Sequence, residues 1–353
     1  MSRRRLREYG YRVGVIPTGR FNTLADVPGF GVGHSTVVEG EDIRSGVTAI
    51  TTHGGDWFEE KTRASVDLFN GYGKMVGVSQ IINEGVVETP VLLTETLNTF
   101  RVADALVDLV LEGRDPAPRS VNPVVAETNG GYLTDNHRRV VGPREVREAV
   151  EAAQACTGPV EEGNVGGGTP MTGYGFKGGI GTSSRRVGEA TLGALVQLNC
   201  GAREDLRVLG VPVGRLLPDP GGPRPSGGSI IMVLATDVQL ESRQLWKLAK
   251  RAVLGLARTG SYGGNGSGDF SLALSNASLP WREYVDSVGG DPERDSSLNP
   301  LYRAAVEAVE EAVLNALFKA ETMTGRQGHT RYALPVEETL ALLERYHPGG
   351  AEG

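Results

Sequence analysis

A proline-rich approach, LLPDPGGPRPSGG (216–228), runs straight into the apolar, β-like segment SIIMVLATD (229–237). This junction constrains the chain more than any other stretch, because a core strand must begin at Ser229. Gly227 and Gly228 precede that serine, and two readings compete for it. In one, Ser229 is a turn residue feeding a buried strand, which suits the frequency of serine in turns that bound strands. In the other, the Gly228–Ser229 bond is a site of self-cleavage. Gly228 has no Cβ, so its peptide bond admits strained geometry and its carbonyl can be reached by the neighbouring hydroxyl. Cleavage there would make Ser229 a new N-terminus, with nucleophile and base on one residue.

The rest of the composition narrows the class. The 353 residues are 39% hydrophobic and 22% charged, a globular balance with enough chain for a substantial core. The 50 glycines are about double the usual share of roughly 7%, and they have no collagen-like period. They cluster mid-chain, which predicts tight turns and close backbone approaches. The net charge of −7 and the lack of a basic stripe with aromatics argue against a nucleic-acid partner. The basic cluster Arg3–Arg5 with Arg7 precedes no long apolar run, so it does not read as a secretory signal. No segment approaches the ~18 apolar residues of a membrane span. Cys156 and Cys200 form no disulfide framework and no metal spacing. A cytoplasmic location is expected.

Along the chain, Thr36–Val38 and Val47–Thr52 read as strands around a turn at Gly40–Asp42, and 74–83 as a further strand. Residues 99–112 predict a helix with Val102, Leu106, Leu109 and Val110 inward and Gly113 as its stop. A charged surface helix is expected over 144–155. The stretch 163–184 reads as irregular, and 191–198 as either strand or helix. Strands are expected at 229–236 and 270–274, and helices at 241–258, 304–321 and 336–345. Regular βαβ alternation is missing, and no linker divides the chain, so 1–353 reads as one domain with a processing loop at 214–228.

Several motifs fail on context. Gly173-Tyr-Gly175-Phe-Lys-Gly178 has the letters of a dinucleotide fingerprint, but no strong strand leads in and no helix follows. Gly73-Lys74 is followed by Met75, so it is not a P-loop. The five histidines (34, 53, 137, 329 and 347) are scattered and read as structural or solvated, which makes a zinc site unexpected. There is no G-x-S-x-G elbow. Weight therefore shifts to nucleophiles with a base other than histidine. An N-terminal α-amine has an unperturbed pKa of ~7.7–8 and suits that role. Asn199, after an apolar run, has an amide able to donate to an oxyanion, or else caps a turn. Ser267 and Asp269, in Gly266-Ser-Gly-Asp269, either relay a proton and hold an amine or simply bond a turn. Glu127 and Tyr132 are candidates for anchoring a substrate amine and assisting the oxyanion, with turn chemistry as the alternative.

Taken together, these segments resemble the L-aminopeptidase/D-esterase family, which includes β-peptidyl aminopeptidases. The resemblance runs from about residue 15 to 340, through FNTLADVPGFGVGH, IRSGVTAI, NGYGKMVG, ETPVLLTETLN, GNVGGGTPMTGYGFKGGIGTSSR, GALVQLNCG, GGSIIMVLATD and LARTGSYGGNGSGDFSLALS. It implies an α/β, four-layer αββα sandwich, like the N-terminal-nucleophile hydrolases but differently connected. It implies autocleavage between Gly228 and Ser229, giving an α-chain 1–228 and a β-chain 229–353. The family nucleophile maps onto Ser229, the oxyanion asparagine onto Asn199, and the serine-x-acid pair onto Ser267 and Asp269. The oxyanion tyrosine maps onto Tyr132 and the amine anchor onto Glu127. The resemblance also implies an acyl-enzyme aminopeptidase for short peptides, amides or esters, assembled as a tetramer, with no metal and no cofactor. Alternatives are an acyltransferase of the ornithine-acetyltransferase type and a non-catalytic binding protein of the same fold. Pro170, the proline- and arginine-rich loop before Ser229, and aspartate rather than glutamate at 269 bear on substrate preference.

Overall fold

The computed structural model describes residues 3–218 and 228–347. Residues 219–227, which make up most of the expected processing loop, lie outside the described residues. In chain order the strands of the first two-thirds are β1 (Gly31–Glu39), β2 (Ile43–Thr51), β3 (Thr62–Gly71), β4 (Met75–Val76), β5 (Val86–Val87), β6 (Val91–Glu95), β7 (Val124–Thr128), β8 (Thr172–Gly173), β9 (Phe176–Lys177), β10 (Gly179–Val187) and β11 (Ala190–Asn199). They are followed by β12 (Ser229–Val238), β13 (Gly268–Leu279), β14 (Met323–Thr324) and β15 (Thr330–Arg331). The helices are α1 (Val78–Glu84), α2 (Thr99–Leu111), α3 (Pro143–Gln154), α4 (Val213–Leu216), α5 (Ser242–Arg258), α6 (Trp281–Ser287), α7 (Asn299–Lys319) and α8 (Val336–Tyr346).

Two sheets stack between helical layers. The first has the order β1-β2-β6-β7-β4 and the second β10-β11-β12-β13-β3-β5. Each is antiparallel except for one pair, β6 with β7 and β12 with β13. Helices α2 and α3 cover the outer face of the first sheet, with Val102, Leu106, Val146 and Val150 against Val47, Ala49, Leu92 and Val125. Helices α5 and α7 cover the second. The order of layers is therefore α, β, β, α, as expected.

Strand β12 shows why its sequence is apolar throughout rather than alternating. Ile230, Met232 and Leu234 face the helical core that contains Leu245, Leu248, Val309 and Val313. Ile231, Val233 and Ala235 face the inter-sheet core with Val91, Leu93, Val124 and Ala126. A strand covered on both faces reads as a continuous hydrophobic run. At about 25 cal/mol per Å² of apolar surface, each of these Ile, Met, Leu and Val side chains contributes roughly 1.5–3 kcal/mol.

Two expectations need correction. Residues 74–83 are not one strand: β4 stops after two residues and α1 follows. Gly77 between them has φ +83°, and a Cβ there would lie 2.6 Å from the Pro123 carbonyl oxygen, so the chain turns where only glycine fits. The stretch 163–184 is irregular only up to residue 178, because Gly179–Val187 forms β10 and pairs with β11, and even before that β8 pairs with β9. Glu127 lies in β7 rather than in a turn. The ambiguous 191–198 is strand, part of β11. The N-terminal arginines act as a strap. Arg3 Nε donates to the Phe318 carbonyl (2.8 Å), Arg5 Nε pairs with buried Glu162 (2.5 Å), and Arg7 pairs with buried Glu311 (2.8 Å).

Candidate active site

Antiparallel pairing of β11 with β12 sets Asn199 opposite Ser229. Parallel pairing of β12 with β13 sets Asp269 beside Ile230, one residue further along. The parallel pair places the starts of two strands side by side, next to the end of a third. Ser229, Asn199, Ser267 and Asp269 therefore gather at one end of the second sheet. A cavity of about 180 Å³ opens there, lined by Cys200, Gly228, Ser261, Tyr262, Ser267 and Asp269 among others.

Ser229 Oγ accepts a hydrogen bond from the Gly268 N–H at 3.0 Å. Gly228 is pressed against the end of β11. A Cβ there would lie 2.5 Å from the Asn199 carbonyl oxygen and 2.6 Å from Cys200 Cα, closer than any side chain tolerates. The residue before the serine is thus restricted to glycine by packing.

Asn70 Nδ2 donates to Ser267 Oγ (2.9 Å) and to Asp269 Oδ2 (3.2 Å). The Ser267 hydroxyl lies 2.7 Å from Asp269 Oδ2 and 2.9 Å from the Gly264 carbonyl oxygen, and its single proton serves one of them. Asp269 is 1% exposed, and its Oδ1 has no hydrogen-bond partner among the described residues. Burial pushes its carboxyl above the ordinary range, while the bonds from Ser267 and Asn70 oppose the shift. A buried acceptor without a donor is costly and marks a place for one.

The Asn199 amide is oriented on both sides. Thr172 N–H donates to Oδ1 (2.8 Å), which fixes the flip, and Nδ2 donates to the Asn129 carbonyl (3.0 Å). An amide nitrogen has two hydrogens, so one remains for a ligand.

Glu127 stands close to this group but is not vacant. Its Oε1 accepts from Lys74 N–H and Lys74 Nζ, both at 3.0 Å, and Lys74 Nζ also donates to Thr96 Oγ1 at 2.8 Å. Gly73 bridges the two clusters. A Cβ on it would lie 3.2 Å from Gly268 Cα and 3.5 Å from Glu127 Oε1. Nearby Glu95 is fully buried. Desolvation pushes its carboxyl up to about 7, with the Glu127 charge reinforcing and N–H bonds from Asn136 and Leu97 opposing. The value is raised in the folded state, so this group's stabilisation is full below the unfolded value of ~4.3 and is lost as pH rises toward 7. The loss amounts to about 3 kcal/mol. Glu95→Gln is expected to flatten the fall of melting temperature across that window. A variant that retains the wild-type slope would assign the slope to other groups.

Tyr132 lies in the loop after β7, on the Asn129 side of the site. Among the described residues its hydroxyl makes no hydrogen bond to Ser229 or Asn199. Its ring instead stacks on His329 and lies under Arg331. The structure thus gathers Ser229, Asn199, Ser267 and Asp269 directly, holds Glu127 beside them through Gly73, and links Tyr132 through the Asn129 loop. Sequence reading missed Asn70, Lys74, Thr172 and the Gly268 N–H. Asn70 and Lys74 lie within NGYGKMVG, a segment with visible resemblance, but nothing in its letters singled them out.

The family model for peptidase family S58 matches residues 22–331. The beta-peptidyl aminopeptidase BapA of Sphingosinicella microcystinivorans is 38% identical, with 93% of this chain and 89% of that protein covered. The chain belongs to peptidase family S58. Among solved structures, a Burkholderia sp. beta-aminopeptidase superposes with a TM-score of 0.88 at 38% identity, covering 98% of this chain and 99% of that one. The L-aminopeptidase D-Ala-esterase/amidase of Ochrobactrum anthropi gives 0.85 at 37% identity over 99% of both chains. That protein is described as a prototype of the serine aminopeptidases and a variant of the Ntn-hydrolase fold. This S58 chain is accordingly a hydrolase, an aminopeptidase/amidase. Neither the acyltransferase nor the non-catalytic alternative is favoured.

Proposed function

We propose that this S58 chain is a self-processing serine aminopeptidase whose nucleophile is Ser229. The observation that carries the proposal is the placement of Ser229 Oγ at the Gly228 junction, registered against Asn199 and beside the Ser267–Asp269 pair. In the first stage Ser229 Oγ attacks the Gly228 carbonyl carbon. The C–N bond to Ser229 breaks, the hydroxyl proton ends on the departing amine, and an ester joins Gly228 to Oγ. Water hydrolyses that ester, leaving the Gly228 carboxylate and a free Ser229 α-amine. Asp269 Oδ1, without a partner beside Ile230, is the natural acceptor for that amine.

In the second stage the α-amine, directly or through Ser267, takes the proton as Oγ attacks the carbonyl of a substrate's first residue. The remaining Asn199 N–H, assisted by Tyr132, donates to the tetrahedral oxyanion. An acyl-enzyme forms, the leaving amine departs with a proton, and water releases the N-terminal residue. Glu127 receives the substrate ammonium by exchanging it against Lys74. The substrates are short peptides, amides and esters with a free amine, and β-amino residues are accepted, as the names of the relatives suggest. The working particle is a cytoplasmic tetramer of αβ units. No helix among the described residues is long and apolar enough to cross a membrane.

Intact mass of the purified protein, together with a panel of α-, β- and D-aminoacyl p-nitroanilides, tests the reading. Conversion of the 37.4 kDa chain into two pieces cut after Gly228, with release of p-nitroaniline, is expected. An uncut species with full activity would refute it. The chain's own side chains, the Ser229 α-amine and water supply every role in this scheme, so EDTA is expected to leave the rate unchanged. Loss of activity restored by an added metal would overturn that part.

A further inference from the structure

The hairpin β14–β15 lies far from Ser229 in sequence and carries no part of the chemistry, yet it touches Tyr132 directly and reaches Asn199 through Thr172. The His329 ring stacks on Tyr132 with centroids 4.5 Å apart and planes within 5°. The Arg331 guanidinium carbon lies 3.8 Å from the Tyr132 ring centroid. His329 Nδ1–H donates to the Tyr132 carbonyl at 2.9 Å, which fixes the tautomer because a carbonyl only accepts. The hairpin is seated on the same loop by its backbone. Arg326 N–H donates to the Leu133 carbonyl at 2.9 Å, and a Cβ on Gly325 would fall 1.9 Å from that oxygen. Arg331 then reaches the second donor. Its Nε donates to Thr172 Oγ1 at 3.3 Å, and Thr172 N–H holds Asn199 Oδ1.

We propose that His329 and Arg331 are positioning residues that hold the Tyr132 phenol and, through Thr172, the Asn199 amide in the geometry the oxyanion needs. A phenol ring lying on an imidazole and a guanidinium loses its freedom to swing about its side-chain torsions. Preorganised donors stabilise a transition state only if they are fixed before charge develops. Arg331 is 5% exposed, and burying a guanidinium there is costly. Cation–π contact with the ring is part of the compensation. Neither residue touches the substrate in this scheme, so the effect should appear in kcat with KM nearly unchanged.

The inference rests on the oxyanion reading of Tyr132, and a double-mutant cycle separates the two. Tyr132→Phe, Arg331→Met and the double variant are assayed for kcat and KM on one aminoacyl p-nitroanilide, with thermal melting recorded for each. Arg331→Met is expected to lower kcat by about 10-fold, since sub-ångström misplacement of catalytic groups is felt at that scale. Arg331→Lys, which keeps a cation over the ring, should recover most of the loss. In the Tyr132→Phe background, which keeps the ring but removes the hydroxyl it aims, Arg331→Met should cost markedly less, about 3-fold, because only the route through Thr172 to Asn199 remains. An equal cost in both backgrounds, or no cost in the wild type, overturns the inference and leaves the Tyr132 reading standing. An unchanged kcat in Tyr132→Phe overturns the Tyr132 reading and the inference with it. If Arg331→Met does not fold, His329→Gln enters the same cycle with the same expectations, and an additive result there overturns the inference.

Discussion

Ser229→Ala is expected to yield a single 37.4 kDa chain that never converts and releases no p-nitroaniline above background. The alanine keeps the β12 ladder and the packing of Gly228, because only Oγ and its bond from Gly268 N–H are removed. Melting should therefore change little, which separates loss of chemistry from loss of fold. Removing the nucleophile of a catalytic unit costs roughly 10⁴-fold or more in turnover. One further variant sharpens the result. Ser229→Cys retains a nucleophile and is expected to cut slowly. A variant carrying Ser229→Ala that still appears as two pieces would place the cut, and the nucleophile, elsewhere.

Asn199→Ala is expected to lower kcat by roughly 10²–10³-fold, equivalent to about 3–4 kcal/mol of transition-state stabilisation. The same substitution leaves the Thr172 N–H and the Asn129 carbonyl without their partner. Some loss of stability, about 1–2 kcal/mol, should accompany it. Asn199→Asp tests the donor. The carboxylate still accepts from Thr172 N–H but has no hydrogen to offer an oxyanion, and its second oxygen faces the Asn129 carbonyl oxygen, so both losses should persist. Recovery of the rate in this variant would assign Asn199 a purely structural place. Self-cleavage uses the same tetrahedral chemistry, so both variants should also process more slowly, as read from the mass of the chain over hours after purification.

Much of the fold was legible because burial and period coincide. The heptad-like spacing of Leu245, Leu248, Ala252 and Leu256 gave α5, and the doubly covered β12 announced itself as an unbroken apolar run. What failed did so for local reasons. KMVGVSQIIN looks β-rich by residue type, but the left-handed turn at Gly77 splits it into a two-residue strand and a helix. GGIGTSSRR looks too glycine-rich for a strand, yet it is buried in β10 against β11 and α7, where a Cβ on Gly181 would meet the α7 backbone. For the site, Ser229, Asn199, Ser267 and Asp269 could be named because each sits at a strand end with unusual neighbours. Lys74, Asn70 and Thr172 could not, since their roles come from pairings across 53, 197 and 27 residues of chain. His329 read as solvated or structural, and only the tertiary stack on Tyr132 gives it a partner.

The strand order of the second sheet has a consequence for the fate of a cut molecule. β12 and β13 follow the Gly228–Ser229 junction, whereas β10, β11, β3 and β5 precede it. β12 is laced to β11 on one side, and β13 to β3 on the other. The fragments would therefore share one continuous ladder, like the interlocked fingers of two hands. They should migrate as one particle in native electrophoresis and come apart only under denaturant. Neither fragment expressed alone is expected to be soluble, because each would present two raw sheet edges and half of a core.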